Sequence, residues 1–179
     1  SDATVAMMKG YGAVKAHQEE GCVYVAIPFG NGSFDFEVIL PPENIDLLRS
    51  GQFPETVALL RDCAVEGYVK VRLPRITISR EIPLGNILDN MGDWDILENA
   101  HYTLFSEPVS AAIRLSQYAD MVLDETGVKV ETVSDGSLAP TSPPIPNVDE
   151  VTVNRPFLFM VTERSTGTVI LAGRIMNLP

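Results

Sequence analysis

Val23, Val25 and Ile27 alternate with Tyr24, Ala26 and Pro28, and Phe34, Phe36 and Val38 alternate with Asp35, Glu37 and Ile39. Such period-two patterns predict strands, because successive side chains of an extended chain point to opposite faces. Between them lies Gly30-Asn31-Gly32, and an Asn-Gly pair readily takes the positive φ angles of a tight turn. The pattern therefore predicts a hairpin over 22–29 and 33–40, preceded by a strand over 12–18. Pro41-Pro42 stops the second strand. Two short helical patterns follow, 43–49 with Ile45, Leu47 and Leu48, and 55–64 with Val57, Leu59 and Leu60. A strand from Tyr68 to Arg72 runs through Leu73-Pro74 into Ile76-Thr77-Ile78-Ser79, and the proline marks where the chain leaves one pairing for another. A helix over 84–91 ends at Gly92, the residue best suited to a left-handed cap. The stretch 93–115 is weakly patterned and reads as loop, with a short helical piece around 108–114.

Alternation returns from Ser116 to Val133. Tyr118, Asp120 and Val122 stand against Ala119, Met121 and Leu123, then Val128, Val130 and Thr132 against Lys129 and Glu131. Residues 134–147 hold four prolines and almost nothing to bury. A structureless stretch of that length inside a compact domain is usually functional. Phe157–Val161 and Thr168–Ala172 close the chain as apolar strands around Ser165-Thr166-Gly167, and runs so nearly unbroken call for cover on both faces. The expected class is β-rich α+β, with an exposed proline-rich loop leading into a buried terminal hairpin.

Composition narrows the function. The 179 residues are 45% hydrophobic, enough for a sizeable core and too apolar for a disordered chain. A net charge of −11, from 24 acids against 13 bases, gives no footprint for nucleic acid and disfavours anionic membrane surfaces. No apolar run approaches the roughly 20 residues of a membrane helix. Ser1-Asp2-Ala3-Thr4 carries neither a basic nor an apolar signal region. Two cysteines, Cys22 and Cys63, exclude a disulfide-rich scaffold or multi-cysteine zinc site, and two free thiols are the simpler expectation over one disulfide.

Catalytic patterns are absent. His17 and His101 sit in polar surroundings, away from any Gly-x-Ser-x-Gly or His-Glu-x-x-His pattern. Asp89-Asn90-Met91-Gly92-Asp93-Trp94-Asp95 looks like half a calcium loop but lacks the alternating ligands and closing glutamate, so a solvated helix end explains it better. Gly30-Asn31-Gly32 has neither the third glycine nor the helix of a phosphate loop. Glu19-Glu20 reads as a solvated turn. Asn31-Gly32-Ser33 also fits a glycosylation acceptor, though the turn accounts for it. No enzyme, metal site or cofactor is expected.

The run Val151-Thr152-Val153-Asn154-Arg155-Pro156-Phe157-Leu158-Phe159-Met160-Val161 resembles the signature of the serpins, the serine protease inhibitor family. Asp124-Glu125-Thr126-Gly127 is similar to the family's hinge tetrad. Leu73-Pro74-Arg75 and the strand after it resemble the family's crossing between two sheets. Met7-Met8, Ile39-Leu40-Pro41, and Thr166-Gly167 through Gly173-Arg174-Ile175 with Asn177 also fall in family order. The resemblance implies the C-terminal portion of a serpin fold: strands of sheets B and C, part of the central sheet, the reactive loop and a few short helices. Residues 124–150 would be hinge and reactive loop and 151–179 the C-terminal strands, with the N-terminal half absent.

It also implies a mechanism. A serine protease cleaves the loop and is trapped as an acyl-enzyme while the freed segment inserts as a new strand. Glu125, Thr126, Gly127, Val128, Lys129, Val130, Glu131 and Thr132 would form the hinge, with Gly127 as its permissive backbone. Val128, Val130 and Thr132 would face inward, and Lys129 and Glu131 outward. Arg75 and Glu125 match an ion pair at the insertion point, where a partly exposed pair contributes only about 0–1 kcal/mol. The scissile region spans Ser137, Leu138, Ala139, Thr141 and Ser142: counting from the hinge points to Thr141-Ser142, protease chemistry to Leu138-Ala139. No Lys or Arg lies between Lys129 and Arg155, which favours an elastase-, chymotrypsin- or subtilisin-like target over a trypsin-like one.

The hinge departs from the family, whose inhibitory members keep it rich in alanine. A bulky, charged Val128-Lys129-Val130-Glu131 would slow insertion and supports an alternative, a non-inhibitory binding or chaperone-like module. Half a fold leaves strand faces and edges uncovered, so the expected partner is the N-terminal half or a second copy, through a strand-exchanged dimer. Disulfide-poor and acidic, the chain fits either the cytosol or an extracytoplasmic space, and the family resemblance leans toward an extracellular location.

Overall fold

β1 (Met7–Glu19) is a 13-residue strand that starts well before the predicted residue 12. Its early half carries Gly10 and Gly12, which dilute the alternating signal without preventing pairing. The chain turns at Glu20 and Gly21, with φ of 48° and 79°, into β2 (Cys22–Phe29). Glu19 faces Cys22, so this is a two-residue hairpin with both central residues at positive φ. The predicted hairpin between β2 and β3 (Phe34–Leu40) also forms, but through a longer connection. Gly30, Asn31 and Gly32 all have positive φ, and the Ser33 amide donates to the Gly30 carbonyl at 3.2 Å. The computed structural model describes residues 7–43, 53–92, 116–124, 145 and 148–178.

Helix α1 (Phe53–Cys63) replaces the predicted 55–64, and β4 (Val65–Pro74) follows at once. The C-terminal segment adds β7 (Glu150–Thr152), β8 (Phe157–Glu163) and β9 (Val169–Ile175). These strands form a seven-stranded sheet in the order β7-β4-β1-β2-β3-β8-β9. It is mixed: β7 runs parallel to β4 and every other pair is antiparallel. β1 pairs with β4 over residues 7–16 and with β2 over 15–19. Among the described pairings, only Lys15 and Ala16 of β1 are therefore held from both sides.

The middle strands are buried on both faces. Tyr24, Ala26, Ile39, Leu158 and Met160 lie under Val57 and Leu60 of α1. Val25, Ile27, Phe36, Val38, Phe157 and Phe159 are buried as well, on positions that alternate with these. The alternation in 34–39 therefore does not mark one solvated face, and Glu37 is 3% exposed. β8 has the cover its apolar run demands. β9 does not: Val169 and Ile170 are 43% and 57% exposed, which corrects the expectation of a buried terminal hairpin. As the last of the described strands in the sheet, β9 has a paired neighbour on one side only among the described residues.

The described strands and helices fall into two compact units, Ser1–Ile76 with Leu123–Pro179, and Thr77–Val122. In the second, β5 (Ile76–Pro83) and β6 (Ser116–Leu123) pair as a two-stranded sheet. The Tyr118 hydroxyl donates to Glu81 across it at 3.1 Å. Helix α2 (Gly85–Met91) ends at Gly92 with φ of 84°, the cap that the sequence predicts. The predicted helices over 43–49 and 108–114, and alternation beyond residue 124, fall on positions largely or wholly outside the described residues. The fold is β-rich α+β, as the patterning indicates.

Candidate reactive loop and its anchors

The far end of the proline-rich segment is fastened by apolar burial. Ile145 and Val148 are 3% and 2% exposed, and the Val148 amide donates to the Ile145 carbonyl at 3.2 Å. Burying a side chain of this size contributes about 1.5–3 kcal/mol, so a short stretch suffices to hold the descending chain. The chain then joins the edge of β4. Lys70 N–H donates to Asp149 O at 3.4 Å and Val153 N–H to Arg72 O at 2.9 Å, bracketing β7. Val151 and Val153 point inward, while Glu150 accepts from Arg72 at 2.8 Å and from the Thr152 hydroxyl at 3.0 Å.

Arg155 then reaches across the sheet. Its Nη2 donates to Gly21 O in the β1–β2 turn at 3.0 Å, and its Nη1 lies 3.8 Å from the Glu43 carboxylate. Phe157, two residues on, is 1% exposed. The signature-like run thus alternates a clamp (Arg155) with core positions (Val151, Val153, Phe157). Burial pushes the neighbouring Cys22 thiol above its ordinary range, against the opposing pull of Arg155. Cys22 and Cys63 are both free thiols, as the cysteine count suggests.

At the near end, β6 delivers the chain to Leu123, which is 5% exposed. Arg75 stands exposed at the joint between β4 and β5. Its expected partner Glu125 lies outside the described residues. So do Thr126, Gly127, Val128, Lys129, Val130, Glu131 and Thr132, and the scissile candidates Ser137, Leu138, Ala139, Thr141 and Ser142. Of the histidines, His17 sits 3.4 Å from Glu19 at the surface and His101 is outside the described residues. Among the described residues no cluster of His, Cys, Asp and Glu could hold a metal ion.

One polar cluster escapes the sequence patterns. Glu37 on β3 takes two hydrogen bonds from Arg61 of α1, at 2.9 and 2.8 Å, and one from the Tyr24 hydroxyl at 3.0 Å. Arg61 also donates to Thr162 of β8 at 3.2 Å. Burial, then the Glu37 charge, drives the Tyr24 phenol far above its ordinary pKa, and hydrogen bonding to Glu37 raises that of Arg61. The cluster ties α1 to three strands. Its only trace in the sequence is a charge inside an apolar strand, which alternation alone assigns to water.

A family model for serpins, serine protease inhibitors, matches residues 1–178. The chain belongs to the serpin family. Neuroserpin of Rattus norvegicus is 26% identical over 165 residues, covering 89% of this chain and 40% of the relative. Corticosteroid-binding globulin of Sus scrofa is 26% identical over 163 residues, covering 88% and 39%. In fold, a serpin from the trematode Schistosoma haematobium is similar at a TM-score of 0.75 and 22% identity, over 99% of this chain and 48% of that one. A thyroxine-binding globulin in complex with thyroxine gives 0.74 and 19%, over 97% and 46%. This serpin chain thus spans about 40% of the length of the curated relatives it matches. The family is one of protease inhibitors at large, and the partial coverage fits the C-terminal portion that the motifs imply.

Proposed function

We propose that this chain is the C-terminal part of a serpin-type inhibitor that presents residues 124–150 as bait to a serine protease outside the trypsin-like class. The family match across 1–178 carries the reading. The fastening of Ile145–Val153 to β4 supports it, because a bait loop must be held firmly beyond its cut site. After attack on the loop, the acyl bond to the protease would form as the peptide bond breaks, and the segment from Glu125 to Thr132 would enter the central sheet. Arg75 and Glu125 would steady the start of that segment. Insertion needs strands that this portion lacks, so the chain acts together with an N-terminal half, or with a second copy by strand exchange.

The test is incubation of the full-length protein with elastase-like and subtilisin-like proteases, followed by SDS electrophoresis and mass mapping of the cut. An adduct that survives SDS, with cleavage between Val133 and Asn147, is the expected result. Clean cleavage without an adduct would transfer the assignment to a non-inhibitory binding module. That second reading draws on the bulky Val128-Lys129-Val130-Glu131 hinge and on corticosteroid-binding globulins among the relatives.

A further inference from the structure

Asn31 is the one asparagine of the chain that precedes a glycine. The others precede Ile, Met, Ala, Val, Arg or Leu, whose side chains crowd their own backbone nitrogens, whereas Gly32 has no Cβ to do so. Gly30, Asn31, Gly32 and Ser33 are all exposed at the tip of the β2–β3 connection. Among the described residues no group hydrogen-bonds the Asn31 carboxamide. An open amide beside an unhindered nitrogen is the setting in which asparagine is least durable. The Gly32 nitrogen bonds to Asn31 Cγ, the Cγ–Nδ2 bond breaks, and ammonia leaves with the proton that the Gly32 amide gives up. A five-membered succinimide remains. Water then opens one of its two carbonyl–nitrogen bonds, giving aspartate or, when the main-chain carbonyl is the one released, isoaspartate.

The turn itself restrains this reaction. Asn31 has φ of 58° and ψ of 28°, which for an L residue sets the Gly32 nitrogen nearly opposite Cβ across the Cα–C bond. Ring closure needs that nitrogen beside Cβ, so the turn must open first. The Ser33 amide, donating to Gly30 O at 3.2 Å, opposes opening from within. Arg164 opposes it from the β8–β9 turn: its backbone N–H donates to Ser33 O at 3.0 Å and its Nη1 to Gly32 O at 3.4 Å, while its Nε pairs with Asp35 at 3.2 Å. Every one of these contacts is at the surface or half-buried, so local opening is cheap. We propose that Asn31 is a deamidation site latched by Arg164, at which the chain passes to an isoaspartyl form when the β2–β3 turn opens. The change lengthens the connection by one backbone carbon and adds a negative charge to a chain already at −11. Its product is the substrate class of isoaspartate-specific methyltransferases, which esterify the displaced carboxylate with a methyl group from S-adenosylmethionine.

The test is incubation of the full-length protein in mildly alkaline buffer at body temperature, with peptide mapping by mass spectrometry and labelling by isoaspartate methyltransferase. The peptide holding Asn31 should convert before any peptide holding another asparagine. Asp135-Gly136 can close the same ring, but it releases no ammonia and changes no mass, so mapping keeps the two apart. Arg164→Gln should speed conversion at Asn31 by about two- to tenfold, the worth of one hydrogen bond in the opening equilibrium. Arg164→Lys should fall between, and thermal melting checks that both variants fold. In unfolding urea, where no turn exists, wild type and Arg164→Gln should convert at one rate. An Asn31 peptide that stays intact in the folded protein and converts only in urea overturns the site. Equal rates for folded wild type and Arg164→Gln overturn the latch. A glycan on Asn31, since Asn31-Gly32-Ser33 also fits an acceptor, would block the attack and overturn the proposal as well.

Discussion

Gly173 on β9 lies directly opposite Phe159 on β8, and the phenylalanine ring occupies the space where a Cβ at Gly173 would stand. A built Cβ falls 2.5 Å from Phe159 Cζ and 2.6 Å from Cε1. The ring cannot swing aside, because it is 2% exposed and stacks on Phe36 with centroids 5.8 Å apart. Glycine here makes room for an aromatic of the neighbouring strand. Gly173→Ala should cost about 1–3 kcal/mol by overpacking, measured by urea unfolding. In a Phe159→Leu background the cost of the same change should shrink, whereas an unaltered cost would mean that Gly173 serves its own backbone.

Arg61 should matter more than its surface position suggests. Glu37 is 3% exposed and depends on it, so Arg61→Ala leaves a buried carboxylate with Tyr24 as its remaining partner. Removing one member of a buried pair costs roughly 3–5 kcal/mol, lowered here because Arg61 itself is 32% exposed. About 2–4 kcal/mol is expected by denaturant unfolding. Replacing both members, Glu37→Met/Arg61→Met, should cost far less than Arg61→Ala. A double variant as unstable as the single one would refute the pairing account.

The Tyr24 phenol gives an alkaline signature. Its pKa is raised in the folded state, so its stabilising contribution is whole below the ordinary tyrosine range and is lost as pH climbs above it. Stability should fall above about pH 10, and Tyr24→Phe should flatten that fall. Ultraviolet titration should show the Tyr24 tyrosinate appearing only with unfolding.

Glu163 behaves in the opposite sense. Its carboxylate accepts from Ser165 and Thr166 in the β8–β9 turn, through both amides and both hydroxyls, and is pulled down to about 2. A lowered folded pKa means that the contribution is present above the unfolded value and vanishes as pH falls toward 2. Carbon-detected NMR titration should place the Glu163 midpoint near 2, and Thr166→Val should move it upward.

If Glu125 pairs with Arg75 at the start of an inserting segment, as proposed above, Glu125→Lys should release that segment. The expected result is more polymer after mild heating of the full-length protein, read by size-exclusion chromatography. Unchanged monomer content would remove the role given to this pair.

Much of the fold was legible because strands and turns are written locally. The α2 cap at Gly92, the β2–β3 hairpin and the α1 stripe of Val57 and Leu60 all follow from neighbours a few residues apart. What the patterns missed depends on distant partners. Asn31-Gly32 drew attention as the tight turn, yet the two-residue hairpin forms at Glu20-Gly21, where the pairing of Glu19 with Cys22 forces a glutamate to positive φ. The burial of Glu37 went unannounced because nothing local shows that Arg61, 24 residues later, will cover it. β9 read as buried because its apolar residues do not reveal that it ends the sheet. For the candidate site, the signature-like run singled out 151–161 by resemblance, but nothing in it announced the burial of Val151 and Val153 or the contact of Arg155 with Gly21.

Among the described residues, the sheet is joined along β1 by just two with neighbours on either side, Lys15 and Ala16. Tension entering through β7 passes into β4 and the front of β1 before it can reach the packed strands beneath α1. Such a narrow bridge works as a mechanical isolator. The ladder on the β7 side can flex or creep under load while the strands beneath α1 keep their register.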